Sequence, residues 1–294
     1  MFKFSCADFT FPVLKRLTAL QLVKLLGFDH VDIGLFTRST HFSPVDLLAS
    51  PRSYTAQTLQ DLDTAKLCVS DVFIQTGVDP SEAAANDPSL TVRLRNRDIF
   101  RNALEFCVAL GSKHLTGLPG VYHTDDSHAQ DLAIASEVCA WRVAECARAG
   151  VVYAIEPHVG SICSDVASTH RFLATTKGLT LTLDYGHFIM TGEASDHVHI
   201  LLPSASHIHV RGGARERLQT SVAENTIDFP NMLTGLQRLA YDGFLALEYV
   251  WIDWKGCNRA DNVSETILLR NELESTIFEL MKVEATYPEP SPIP

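Results

Sequence analysis

The sequence predicts an α/β protein built as one closed (β/α)8 barrel, and three observations carry that reading. Short β-rich runs alternate with longer helical patterns along nearly the whole chain. Eight such runs fall within 294 residues, which suits a closed barrel better than an open doubly wound sheet. Gly27, Gly111, Gly150 and Gly178 stand where a helix hands over to the next strand, positions that favour a left-handed residue. No G-x-G-x-x-G follows the first run, so a dinucleotide-binding sheet lacks its phosphate turn.

The first strand is expected at 3–6, followed by a helix over 13–26 that stops at Gly27. The second strand, 30–34, leads to a helix over 53–65, and the third, 67–75, to a helix over 91–110. The fourth strand, 114–117, precedes a long helix over 127–149. The fifth, 151–156, reads Val-Val-Tyr-Ala-Ile-Glu and precedes a helix over 165–177. The sixth, 179–184, reads Leu-Thr-Leu-Thr-Leu-Asp, with a short helix expected over 195–202 behind it. The seventh, 207–211, is followed by a helix over 230–241, and the eighth, 244–249, by a last helix from 261 to about 283. Helices between successive strands make the strands parallel. No linker divides the chain, so residues 1–284 form one barrel domain; 285–294, with four prolines in the last eight residues, are expected to leave it as an extended tail.

Composition removes several classes of function. Lys and Arg number 24 against 35 Asp and Glu, a net charge of −11, which disfavours nucleic acid and anionic membranes as partners. No apolar run approaches the roughly 20 residues that span a bilayer, and the start lacks the apolar segment of a secretory signal. A soluble cytoplasmic protein is expected. Its seven cysteines are scattered without a C-x-x-C pair, and they read as free core residues rather than a zinc or disulfide framework.

A barrel of this kind carries its active site at the carboxyl ends of the strands. The fifth strand ends at Glu156, the sixth at Asp184, the seventh near His209 and the eighth at Glu248. Any one acid after a strand reads as the N-cap of the next helix, and any one histidine as an ordinary core residue. Four on successive strands point to a shared cation, because converging carboxylates repel unless a divalent ion neutralises them. Three oxygen ligands and one imidazole suit Mn²⁺ first, with Co²⁺, Mg²⁺ or Zn²⁺ as alternatives. His207 shares the face of His209 one layer deeper.

These residues resemble the xylose-isomerase-like TIM-barrel superfamily of sugar isomerases and epimerases, most closely its ketose 3-epimerase and inosose dehydratase branches. The resemblance implies that Glu156, Asp184, His209 and Glu248 hold one divalent metal. It also implies that His187, three residues after the metal aspartate, and Arg215, six after the metal histidine, hold substrate oxygens. The segment 249–254, Tyr-Val-Trp-Ile-Asp-Trp, is more aromatic than those epimerases carry.

The expected reaction is proton transfer next to the carbonyl of a ketose or polyol through a metal-stabilised enediolate, with Glu156 and Glu248 as base and acid. Trp251 or Trp254 would stack on a sugar ring. The alternative is a lyase of the same superfamily, an inosose-type dehydratase or a 3-keto-glycoside-cleaving enzyme, with His158 as proton donor to the leaving oxygen. A non-catalytic barrel subunit is the third reading. The expected partner is a small sugar or cyclitol, and the chain is expected to form a homo-oligomer of undetermined size.

Overall fold

The structure is a computed structural model that describes residues 2–38 and 40–286. Eight parallel strands close into a barrel: β1 (Lys3–Ala7), β2 (His30–Phe36), β3 (Cys68–Gln75), β4 (His114–Gly117), β5 (Val152–Ile155), β6 (Thr180–Asp184), β7 (Ala205–Val210) and β10 (Phe244–Leu247). Each lies beside its sequence neighbours, and β10 closes the ring onto β1 through Lys3↔Phe244 to Cys6↔Leu247. The two further strands, β8 (Gly212–Ala214) and β9 (Arg217–Thr220), form an antiparallel hairpin above the barrel after β7.

Alternation along each strand divides the side chains between two environments. Leu181 and Leu183 of β6, Ile208 and Val210 of β7, and Leu245 and Leu247 of β10 belong to the apolar core between barrel and helices. The intervening residues point inward, and here the interior is unusually polar. Asp32 accepts from Ser5 Oγ at 2.9 Å and is 2.6 Å from His207 Nε2. His114 Nδ1 lies 2.7 Å from Asp71, and its ring stacks on His207 with centroids 5.1 Å apart. Thr116 and Thr182 meet at 2.6 Å.

The connections follow from local chemistry. Asp165 accepts from the Ser168 amide at 2.7 Å in a reciprocal cap of helix Val166–Thr175, and Asp228 caps Phe229–Arg238 through Asn231. At Gly111 and Gly150 nothing lies within 4 Å of an added Cβ, so the positive φ of 79° and 70°, not space, selects glycine.

The main helices lie where the periodicity puts them, and 195–202 is a helical turn, Ser195–Val198, running into a 3-10 segment to Ser204. The sequence reading passes over the helices Pro44–Ala49 and Tyr185–Met190 and the hairpin, all shorter than a reliable period. The last helix extends to Thr286; of the expected tail, 287–294 lie outside the described residues. All seven cysteines are free and all but Cys68 are buried; burial pushes the thiols of Cys107 and Cys146 up to about 12. No helix among the described residues is long and apolar enough to cross a membrane.

Candidate metal centre and active site

Four adjacent strands of the wall, β5, β6, β7 and β10, bring Glu156, Asp184, His209 and Glu248 to the mouth. The pairing registers set Asp184 opposite His209 and Ala246 opposite His209, with Glu248 two residues further along the same face of β10. All four are buried. His209 Nδ1 faces both glutamates, 2.7 Å from Glu156 Oε1 and 3.3 Å from Glu248 Oε2. Asp184 divides its oxygens: Oδ1 accepts from the Gly186 amide at 2.7 Å, capping helix Tyr185–Met190, while Oδ2 faces the site. That aspartate therefore caps the helix with one oxygen and leaves the other turned toward the site.

Arg211 is the residue that sequence reasoning missed. Its guanidinium makes a very short ion pair with Asp184 and lies 3.5 Å from Glu248. The signal was present: 207, 209 and 211 alternate on one strand face, and the third of them is an arginine. Arg215, by contrast, lies exposed at the hairpin turn and does not line the cavity above the acids. Insertion of the β8–β9 turn carries position 215 outward.

His187 packs into the cluster, its Nε2 3.6 Å from Asp184 and 3.4 Å from Arg211. His158 stands edge-on to His187 with ring centroids 6.1 Å apart. His158 Nδ1 is 3.1 Å from the Val159 carbonyl, which assigns the ring proton to Nδ1 and leaves buried Nε2 without a partner. Of the tryptophans, Trp254 lines the cavity and packs near His187 at 6.2 Å, whereas Trp251 lines a separate surface cleft beside Thr10 and Arg259. In the loop after β4, Thr124 and Ser127 cap each other across a 3-10 turn, and His123 pairs with Asp131 at 2.7 Å.

Electrostatics separate the acids. Burial, then the charge of Glu248, pushes Glu156 up to about 7. Burial would raise Glu248 as well, but His209 and Arg211 outweigh it and hold that carboxyl below its usual range. Burial raises Asp184 despite Arg211. For His209, burial favours the neutral ring, yet Glu248 and the contacts to Asp32 and Glu156 raise it overall. Burial alone lowers His158 to about 4, so its ring is neutral near pH 7.

The residues present fit one divalent cation. Donor atoms of Glu156, His209 and Glu248 lie within 4.8 Å of one another, and Glu156 forms a second such group with Asp184 and His187. Glu248 Oε2 is buried with no hydrogen-bond partner despite its nearness to His209. Three buried carboxylates also exceed the charge that Arg211 and one imidazole supply. One layer deeper, Asp32 Oδ2 lies 3.5 Å from His209 Nε2, the far side of the ring, where a carboxylate would fix the orientation of a ligating imidazole.

No curated protein matches this chain in sequence. Among solved structures it is similar to D-psicose 3-epimerase with D-tagatose from Clostridium cellulolyticum H10, at 14% identity and TM-score 0.73 over 94% of this chain and 99% of that one. It is similar to 3-keto-D-glucoside 4-epimerase from E. coli, at 16% identity and TM-score 0.67 over 94% and 100%. It also resembles the probable 3-DHS dehydratase AsbF from Bacillus anthracis, at 14% identity and TM-score 0.67 over 92% and 99%. At such identities the likeness is one of fold. The model of the family described as Xylose isomerase-like TIM barrel matches residues 20–272, and the chain belongs to that family.

Proposed function

We propose that the chain is a divalent-metal-dependent isomerase or epimerase that moves a proton at the carbon next to the carbonyl of a ketose or polyol. The observation that carries this reading is the convergence of Glu156, Glu248 and His209 Nδ1 at one buried point, with Asp184 alongside on β6. Glu156, Asp184, His209 and Glu248 would hold the ion, Mn²⁺ by preference for three oxygens and one imidazole. Bound there, it would supply Lewis-acid polarisation of the carbonyl oxygen.

The chain's own groups do the rest. Glu156 and Glu248 stand at the two ends of the four-strand arc, so a substrate carbon held above them would be reached by one carboxylate from each side. One glutamate takes the proton and the other returns it, inverting or relocating the centre. Arg211 and His187 hold substrate oxygens in the role expected for Arg215, because Arg211 reaches the cavity and Arg215 does not.

A lyase remains the second reading, favoured by the unpartnered Nε2 of His158 beside the cavity. A neutral ring protonated at Nδ1 presents a lone pair at Nε2, which suits accepting from a hydroxyl better than donating to a leaving oxygen. Isomerisation therefore ranks first. The test incubates the Mn²⁺-loaded protein in D2O with ketoses, 3-keto-glucosides and inososes. Deuterium at the carbon next to the carbonyl together with a new epimer or isomer is expected. Loss of water or aglycone would select the lyase, and tight metal binding with no exchange in any of them would sink both.

A further inference from the structure

The cavity above the acids has a volume of about 360 Å³, and its two sides differ in kind. The acids, His187 and Arg211 occupy one side; the other is apolar. Phe9 follows β1, Phe36 ends β2 and Phe73 lies in β3, and their rings form a cluster with centroids 5.0, 6.3 and 4.9 Å apart. The Phe73 ring also lies 5.8 Å from that of His209, so the apolar wall begins at the metal ligand. Val250 and Ile252, from the loop after β10, continue it around the closed ring, and Trp254, 43% exposed, leaves its indole uncovered at the rim.

The polar groups on that side are Arg38, Gln75 and Asp79. Gln75 donates to the carbonyls of Gly77 and Val78, and Arg38 and Asp79 are exposed to solvent. A bare ketose has hydroxyls on most of its carbons. Those turned toward the phenylalanines would give up water with no partner in exchange, which is costly. A flat hydrocarbon group would instead bury its surface against ring faces and edges.

Resting on the proton-transfer reading above, we propose that the substrate is a carbonyl polyol bearing an aryl group, whose ring fills the Phe9–Phe36–Phe73 wall while the polyol lies against the acids. The site then discriminates substrates through the aryl group, and small free sugars bind it weakly.

The test uses a matched pair whose substituent is joined to C1 through carbon and so cannot leave as phenoxide, 3-keto-β-D-glucopyranosylbenzene (the phenyl compound) and its C-methyl counterpart (the methyl compound), with the Mn²⁺-loaded full chain. Calorimetry reads the two dissociation constants, and NMR in D2O reads exchange next to the carbonyl. The phenyl compound is expected to bind at least about tenfold tighter. Trp254→Ala, at the exposed rim, and Phe36→Leu, which keeps the wall filled, should each shrink that ratio while circular dichroism reports an intact fold. Equal affinity for the two, tighter binding of the methyl compound, or no binding of the phenyl compound overturns the inference. Exchange without a phenyl preference leaves the reaction standing and removes the substrate class. A phenyl preference without exchange does the reverse.

Discussion

The mouth of the barrel is divided between two arcs built from the same strand grammar. From β5 round to β10 the inward residues at the carboxyl ends are Glu156, Asp184, His209 with Arg211, and Glu248. From β1 to β4 the same cavity is lined mainly by Phe9, Phe36, Phe73 and Leu118. One arc concentrates charge that needs a cation; the other concentrates surface that needs a hydrocarbon. In a closed barrel the two face each other across one cavity, so the proposed chemistry and the proposed recognition would fall to opposite walls.

The comparison can be broken most sharply in the charged arc. Glu156→Gln or Glu248→Gln removes a proton carrier while keeping its shape, and exchange next to the carbonyl should fall by roughly 10²- to 10⁴-fold. NMR on the metal-loaded variants, with metal affinity measured alongside, checks this; a loss under threefold for both would remove the glutamates from the chemistry. Arg211→Leu leaves the carboxylates of Asp184 and Glu248 buried beside an uncharged chain. The metal-free protein should lose about 3–5 kcal/mol in urea denaturation, and saturating Mn²⁺ should restore much of it.

Asp32→Asn sharpens the picture at the level below. It removes the negative charge behind His209 without opening a cavity, and Mn²⁺ affinity by calorimetry should weaken about 10- to 100-fold. Unchanged affinity would reduce Asp32 to a partner of His207 alone. The smallest effect belongs to the other arc, where Asp8 pairs with His41, 2.7 Å apart. Burial pulls His41 down, but Asp8 and the Leu14 carbonyl raise it above its ordinary 6.5 overall. A raised folded value means the stabilisation is present below pH 6.5 and is lost as pH rises through the folded value. The stability difference between the protein and His41→Gln should therefore shrink from pH 6 to 9. A difference that grows with pH would reverse the assignment.

The charged arc was legible in the sequence because each member closes its own apolar strand, and four such endings in succession share one explanation. His114–Gly117 could be bounded to the residue, since Gly111 ends the helix before it and Gly117 closes the run. Arg211 required trusting strand alternation past the last expected ligand. Placing Arg215 and choosing between Trp251 and Trp254 required the path of a hairpin and of a rim loop in which Lys255 and Gly256 take positive φ. The apolar arc was illegible for another reason. Phe9, Phe36 and Phe73 each look like any aromatic in a buried segment, and only the closed ring shows that they meet.

Asp184 has a consequence that reaches past the ion. With Oδ1 it holds the first turn of the short helix that carries His187, and with Oδ2 it faces the acids. A single carboxylate is thus the joint between ligand occupancy and the tilt of that turn, and His187 in turn lies against Trp254 at the entrance. If an ion is held there, its loss would act on both oxygens of one carboxylate, and a change in the tilt of that turn would be felt first at Trp254, the aromatic neighbour of His187.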